Sequence, residues 1–192
     1  MATKAVDKSI AHRLLQGGPV VLVVSRYRDR VNVMAASWVT PISMDPSMIA
    51  VSVSKDSLTH DFVERSGEFS LSIPTRSLME KVRDSGLVSG HDVDNKAGML
   101  GLRLAAGQAM DTPVVADCLG YLECSVVEAY EAGEDHTVFF ADVIAATADA
   151  EAFGETWLLA EDEAKPLHHL GGHVYAVLDA AISAEPQAEE GQ

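Results

Sequence analysis

A run of hydroxyl side chains around one lysine could bind an anion. It occupies residues 54–59 (Ser-Lys-Asp-Ser-Leu-Thr), where an apolar segment ends and a helical pattern begins. The free N–H groups and the dipole at a helix start favour negative charge, and Lys55 adds a positive group. The same pattern is typical of a plain helix cap formed by Ser57 or Thr59. At this point both interpretations, anion site and cap, stay open.

Small side chains follow one another in residues 32–38 (Asn-Val-Met-Ala-Ala-Ser-Trp). On a strand, small residues let a flat ligand approach the backbone, whose N–H groups can then reach ring heteroatoms. A strand packed tightly against its neighbour would need the same side chains. The segment is therefore compatible with a ligand site and with simple packing.

A third segment, residues 89–96 (Ser-Gly-His-Asp-Val-Asp-Asn-Lys), combines hydroxyl, glycine and charged groups. Its composition alone favours a surface loop with solvated charges. Two further carboxylates, Glu123 and Asp142, fall within strand patterns. We expect them at a sheet edge or on the solvent face, because unpaired carboxylates are rarely buried.

Signatures of several enzyme classes are missing, including the phosphate-binding, dinucleotide-binding and nucleophile-elbow motifs. His168, His169 and His173 lie close together, but no carboxylate or cysteine nearby completes a familiar ligand set, so no metal site is predicted. Cys118 and Cys124 have no positive neighbour and are typical of buried thiols rather than nucleophiles. The sequence thus identifies no catalytic side chain.

The elements that must position these segments are mostly strands. Short helical patterns at 58–67 and 78–86 are inserted between them, and Gly67 is the expected stop of the first. This order lacks the long helices of βαβ units and indicates a mainly β (α+β) fold, an antiparallel barrel or sandwich. The predicted strands cover residues 19–26, 31–39 (stopped by Pro41), 48–53, 69–73, 120–129, 136–148 and one last strand within 166–179.

Composition limits the classes of function. The 192 residues contain 14 Lys+Arg and 29 Asp+Glu, which gives a net charge of −15 and argues against nucleic acid or an anionic membrane as partner. A hydrophobic fraction of 47% supports a packed core. We expect a single domain over residues 1–182 and an acidic, flexible tail at 183–192.

The N-terminal 16 residues predict a short amphipathic helix with Ile10, Leu14 and Leu15 on one side. They lack the central apolar block of a signal peptide, and two cysteines form no disulfide framework. These features favour a cytoplasmic protein.

Six segments in order resemble the flavin reductase-like proteins, whose fold is an FMN-binding split barrel. The last four narrow the resemblance to the flavoredoxin-like branch, and the likeness covers about residues 15–178. The matching segments are NVMAASWVTPIS (32–43), MIAVSVSKDSLT (48–59), SGEFSLSIP (66–74), SGHDVD (89–94), DHTVFFADV (135–143) and HLGGxxY (169–175).

This resemblance implies a six-stranded antiparallel split β-barrel with short flanking helices, and a homodimer with FMN near the subunit interface. It implies that residues 35–38 lie along the isoalloxazine ring and that residues of 54–59 surround the ribityl phosphate. Asn95 intervenes before Lys96, so Lys96 fits the family pattern with a one-residue insertion. The cofactor-binding set implied is Asn32, Ala35, Ala36, Ser37, Trp38, Ser54, Lys55, Ser57, Thr59, Ser89, Gly90, Lys96 and His169.

Three functions follow from the resemblance. The first is an FMN-dependent oxidoreductase that takes a hydride from NAD(P)H, a reaction that needs no side-chain acid or base. The second is an FMN electron-transfer protein that has no nicotinamide site and serves a redox partner protein. The third is a non-enzymatic binding protein for haem or another ligand. The short anion site and the missing dinucleotide fingerprint favour FMN over FAD.

Overall fold

The computed structural model describes residues 4–159 and 164–183. The described residues lie in antiparallel strands more often than in helices. Along the chain the strands are β1 (Val21–Tyr27), β2 (Arg30–Ala36), β3 (Val39–Met44), β4 (Ser47–Ser54), β5 (Glu68–Ile73), β6 (Leu104–Ala105), β7 (Val114–Val115), β8 (Gly120–Ala132), β9 (His136–Ala148), β10 (Leu167–Gly171) and β11 (Val174–Val177).

Seven of these strands form one sheet in the order β2-β1-β5-β8-β9-β4-β3. Its two edges, β2 and β3, are consecutive in the chain and are joined only by Ser37 and Trp38. A flat sheet of this width would hold its edges about 29 Å apart. The three residue steps from Ala36 to Val39 span at most about 11 Å. The sheet must therefore curl until its edges meet, which confirms the predicted antiparallel split barrel.

Strand β1 is buried on both faces, which explains its unbroken run of apolar residues. Val21 and Val23 point into the barrel core, a cluster that also contains Phe69 and Phe139. The alternate side chains of β1 join an outer core beneath α2, whose buried members are Val20, Leu22, Val24, Val33, Leu78, Val82, Ala97, Leu102, Val115 and Leu167.

In the described part of the chain, three short α-helices connect the strands: α1 (Leu58–Ser66), α2 (Met79–Leu87) and α3 (Lys96–Met99). Helix α1 ends at Gly67, which adopts φ 70°, as the predicted stop requires. A 3-10 helix at Lys8–Leu15 occupies the predicted amphipathic segment, but its apolar side is uncovered, with Leu15 90% exposed.

The strand predicted over 31–39 is wrong in one respect, because it is broken at residues 37–38 and a separate strand, β3, continues through Pro41. Proline lacks an N–H donor and is tolerated at sheet edges and bulges. Pro41 satisfies both conditions, since β3 is an edge strand and its register with β4 shifts between Pro41 and Ser43. This break raises the strand number of the sheet from the expected six to seven.

Two other expectations are wrong. The last predicted strand is a hairpin, with His173 in the turn between β10 and β11, so His169 and His173 do not share a strand face. Glu123 is 1% exposed, because its carboxylate accepts backbone hydrogen bonds from Gln108, Ala109 and Met110 at 2.6–2.9 Å. From residue 184 onward, the predicted tail lies outside the described residues.

Within residues 4–159 and 164–183, no helix is long and apolar enough to cross a membrane.

Candidate functional site

The start of α1 and strand β2 meet through two buried polar side chains. Ser57 is the N-cap: its Oγ accepts from the His60 N–H at 3.2 Å. Thr59 is not a cap but lies inside the helix, fully buried, where its hydroxyl accepts a hydrogen bond of 2.8 Å from Asn32 Nδ2. The Asn32–Thr59 bond thus holds the first turn of α1 against β2.

A polar cavity of about 220 Å³ opens beside this contact. Asn32 lines it, and the buried Oδ1 of Asn32 has no hydrogen-bond partner among the described residues. Such an atom costs free energy unless a ligand or water supplies a donor. The cavity is lined by Asn32, Met34, Ser54, Asp56, Ser57, Leu58, Thr59, Ser85, Gly86, Leu87, Val88, Ser89, Gly90 and Lys96.

Gly90 keeps this cavity open. A Cβ added at Gly90 would lie 2.3 Å from Asn32 Oδ1 and 3.0 Å from Leu58 Cδ2. The first distance is shorter than real Cβ contacts and the second is tighter than most of them, so a side chain at this position would displace Asn32. The residue-90 backbone can approach a ligand only because no side chain intervenes.

Lys96 places a cation in the same cavity. It is 2% exposed, and its ammonium donates to the Ser85 carbonyl at 2.7 Å, which leaves two donors unassigned by that bond. Burial without a carboxylate partner lowers the pKa of Lys96 to about 8. The intervening residue, Asn95, has its own task as N-cap of α3, where its side chain accepts from Gly98 N–H at 2.9 Å.

The small residues of β2 line a second cavity next to this one. A cavity of about 210 Å³ is formed by residues 34–38 together with Ser52, Ser54 and His136. The ring centroids of Trp38 and His136 are 5.0 Å apart. Because β2 is an edge strand, alternate peptide groups of this segment face away from β1 and are free to meet a ligand.

A smaller cavity of about 180 Å³ lies on the other side of residues 35–37, between α2 and the β10–β11 hairpin. His169 is fixed there at both ring nitrogens. Its Nε2 lies 3.0 Å from the Gly172 carbonyl and must donate, so Nδ1, 3.1 Å from Ser37 Oγ, accepts. Arg83 and Tyr175 also line this cavity, and desolvation raises the pKa of Tyr175.

These three cavities share lining residues along β2, and we call them together the β2 groove. All the sequence-predicted site residues line it except Lys55. The Lys55 ammonium pairs with Glu131 at 3.4 Å, and its backbone N–H donates to the Asp135 carbonyl. The positive group in the cavity at the start of α1 is therefore Lys96.

Sequence reasoning missed lining residues that reach the groove from other elements. His136 comes from β9, paired with Ser54 of β4, and Ser52 lies two residues earlier on β4. His136 stands in a segment that matches the family, which is the one signal that could have identified it. The 85–88 segment at the end of α2 carries no such signal.

Neither cysteine lines the β2 groove. Burial raises the pKa of Cys118 and Cys124 to about 12, so both stay protonated near neutral pH. Within the described part of the chain, no group of three metal-ligating side chains comes together.

Comparisons with known proteins agree over nearly the whole chain. The model of the family described as flavin reductase like domain matches residues 15–177. The uncharacterized protein YddH of Escherichia coli K12 is 34% identical over 178 residues, 91% of this chain and 94% of that protein. An FMN-binding domain of a flavin reductases-like enzyme from Shewanella baltica is 30% identical, with a TM-score of 0.81, covering 95% and 97% of the two chains. Flavoredoxin of Desulfovibrio vulgaris (Miyazaki F) is 25% identical, with a TM-score of 0.82, covering 99% and 100%.

Proposed function

Because the chain belongs to the flavin reductase-like domain family, as its sequence motifs predict, we propose that it binds FMN in the β2 groove and catalyses electron transfer from NAD(P)H. One observation carries the assignment: Asn32, whose buried Oδ1 has no partner among the described residues, lines the same cavity as the buried Lys96. A polar, cationic cavity next to a run of small residues fits a ligand with an anionic end and a flat ring.

The phosphate end of FMN fits the cavity at the start of α1. Lys96 supplies the charge, and hydroxyls of Ser57 and Ser89 supply hydrogen bonds. Asn32 Oδ1 is an acceptor and suits a ribityl hydroxyl better than a phosphate oxygen. Local groups must hold the phosphate, because the net charge of −15 repels it at long range.

The ring end fits residues 35–38. When bound, FMN supplies the redox chemistry, since its ring accepts a hydride from reduced nicotinamide and passes electrons onward. Peptide N–H groups of this edge segment would stabilise negative charge on the ring. Ser37 is held by His169 Nδ1 at 3.1 Å, so its hydroxyl hydrogen is directed at the imidazole and its lone pairs face the groove.

A homodimer is part of this proposal. The groove adjoins a wide cavity of about 610 Å³ lined by Leu15, Trp38 and Gly17 among others. Leu15 is nearly fully exposed and Trp38 is partly exposed, so the rim of the ring site is apolar and uncovered. A second copy over this rim would exclude water from the ring.

The test is a titration of apo protein with FMN, followed by anaerobic addition of NADH or NADPH. We expect tight binding, loss of affinity in Asn32→Leu, and bleaching of the flavin absorbance by a nicotinamide donor. Ser47, an exposed residue of β4 that lies outside the groove lining, provides the matched control as Ser47→Leu. Equal FMN affinities for wild type and Asn32→Leu would contradict the site assignment.

The electron-transfer protein is the second candidate, and the similarity to Desulfovibrio flavoredoxin over the full chain favours it. It predicts the same FMN binding with no bleaching by either nicotinamide donor, followed by full bleaching with dithionite.

A further inference from the structure

Positive charge is concentrated at one end of the β2 groove. The chain has only 14 Lys+Arg, yet Arg26, Arg28 and Arg30 lie within five residues on the β1–β2 hairpin. Arg65, from the last turn of α1, joins them. We call Arg28, Arg30 and Arg65, together with Tyr27 between them, the arginine cluster.

The cluster continues the groove beyond the phosphate cavity. Arg30 precedes Asn32 by two residues on β2, so both side chains lie on the same face of the strand. Its guanidinium donates to the Gly90 carbonyl at 3.4 Å, and Gly90 lines the cavity. A ligand that leaves the cavity at this end therefore meets the arginine cluster.

Like charges are gathered around one aromatic ring. The guanidinium carbons of Arg28 and Arg65 lie 5.3 and 5.6 Å from the Tyr27 ring centroid, and that of Arg30 lies 5.9 Å from Phe62. The Arg30 guanidinium forms an ion pair with the Asp94 carboxylate at 3.5 Å. Among residues 4–159 and 164–183, no carboxylate lies within salt-bridge distance of Arg28 or Arg65. Two unpaired cations beside one ring form a site that an anion would stabilise.

The backbone is strained to present Arg28. Its φ is 55°, a conformation that glycine or asparagine adopts at such a hairpin turn and that costs a long side chain free energy. Within the described residues it is the only non-glycine with positive φ. Arg26 stabilises the turn, because its Nε donates to the Arg28 carbonyl at 3.1 Å. Strain of this kind clusters at ligand sites.

We propose that the arginine cluster binds the adenosine diphosphate moiety of a dinucleotide, with phosphate oxygens on Arg28 and Arg65 and the adenine against Tyr27. The inference rests on the proposed function, since it places the dinucleotide beside FMN. Either NAD(P)H or FAD carries this moiety, and the cluster would take the place of the dinucleotide fingerprint that the sequence lacks.

The test uses two probes that carry the adenosine diphosphate moiety, ADP-ribose and FAD, and FMN as the reference ligand. ADP-ribose, which carries no redox group, is titrated by calorimetry into the FMN-loaded protein, and FAD and FMN are each titrated into the apo protein. The variants are Arg28→Gly and Arg65→Ala. The control is Arg103→Ala, which makes the same charge change at an exposed arginine paired with Asp117.

We expect both cluster variants to weaken the binding of ADP-ribose or of FAD about tenfold or more, with FMN affinity changed less than twofold and the control unchanged. Weakened ADP-ribose binding assigns the cluster to the nicotinamide donor, and weakened FAD binding assigns it to the flavin. Arg28→Gly should melt no lower than wild type, because glycine adopts the positive φ freely. This separates the lost guanidinium from lost folding.

If neither probe is weakened, the proposal is overturned, and the cluster serves another partner such as an acidic protein. If wild type fails to bind FMN, the proposed function fails by itself. ADP-ribose titrated into the apo protein and its Arg65→Ala variant then tests the cluster alone.

Discussion

Lys96 is the residue on which the electrostatics of the groove depend. It is a buried cation without a carboxylate partner, in a protein with a large excess of carboxylates. Burial disfavours the charged form and lowers the pKa of Lys96 to about 8. A bound phosphate would oppose this shift, because an anion favours the charged form.

The lowered pKa of Lys96 therefore predicts that the protein takes up protons when FMN binds. At pH 8 the apo protein is a mixture of charged and neutral Lys96, and a bound anion draws the neutral fraction to the charged form. Calorimetry in two buffers of different ionisation enthalpy should detect a fraction of a proton taken up. The uptake should vanish in Lys96→Met, and equal uptake in that variant would contradict the assignment.

The same pKa predicts how apo stability depends on pH. Between about pH 8 and 10.5, Lys96 is protonated in the unfolded chain and neutral in the folded one, so this residue makes the free energy of unfolding rise with pH. Chemical denaturation of wild type and Lys96→Met across this window measures the contribution of Lys96. Parallel curves for the two proteins would show that the pKa is not lowered.

Substitution of Gly90 should weaken ligand binding selectively. In Gly90→Ala the new Cβ occupies the position 2.3 Å from Asn32 Oδ1 and forces that side chain into the cavity. We expect FMN affinity to fall at least tenfold, measured by flavin fluorescence quenching. Gly18→Ala is the matched control, because no atom lies within 4 Å of a Cβ built there.

At the scale of elements, the buried carboxylate of Glu123 ties the 107–110 segment to the centre of the sheet. Strand β8 lies between β5 and β9, and Glu123 accepts from three consecutive N–H groups. Glu123→Gln turns an amide NH₂ toward these donors, so we expect a loss of roughly 2–3 kcal/mol in the free energy of unfolding. Urea denaturation checks this, with the exposed Glu128→Gln of the same strand as control. A loss no larger than that of Glu128→Gln would contradict it.

Elements were predictable from sequence where one local pattern decided the outcome. Helix α1 begins after Ser57 and ends at Gly67 as expected, because capping depends on neighbouring residues alone. Glu123 could not be placed, since its three donors lie 13 to 15 residues away in a segment without a regular pattern. Pro41 was wrongly predicted to stop a strand, because the sequence does not show which strands lie at the edges of the sheet.

The site was predictable as a set of segments and less so as individual contacts. Family-like motifs identified β2, the start of α1 and the 89–96 segment, which do converge. Lys55 and Lys96 both looked suited to an anion, and only the fold separates them, by directing Lys55 to Glu131 on β8. The role of Thr59 depends on Asn32, 27 residues earlier, which no local pattern reveals.

At the scale of the whole molecule, the proposed dimer should sediment near twice 20.5 kDa at micromolar concentration. Specific interfaces bury about 1,200–2,000 Å² or more, and the apolar rim with Leu15 is the surface that would be buried. Leu15→Glu should shift the protein toward monomer and weaken FMN binding. Leu158→Glu, also at an exposed leucine but outside the lining of the groove and of the rim cavity, tests whether any added carboxylate suffices. A wild-type monomer that binds FMN tightly would contradict the shared site.

The link of Ser37 and Trp38 has a consequence for how sequences of this design can diverge. These two residues join both edges of the sheet and also line the β2 groove, so their number is constrained twice. An inserted residue would widen the gap between the two edges of the sheet and displace the peptide groups of residues 35–38. Length variation among related sequences should therefore be absent between β2 and β3. It should accumulate in the connection from α3 to β8, where a change of length alters neither the seam nor the groove.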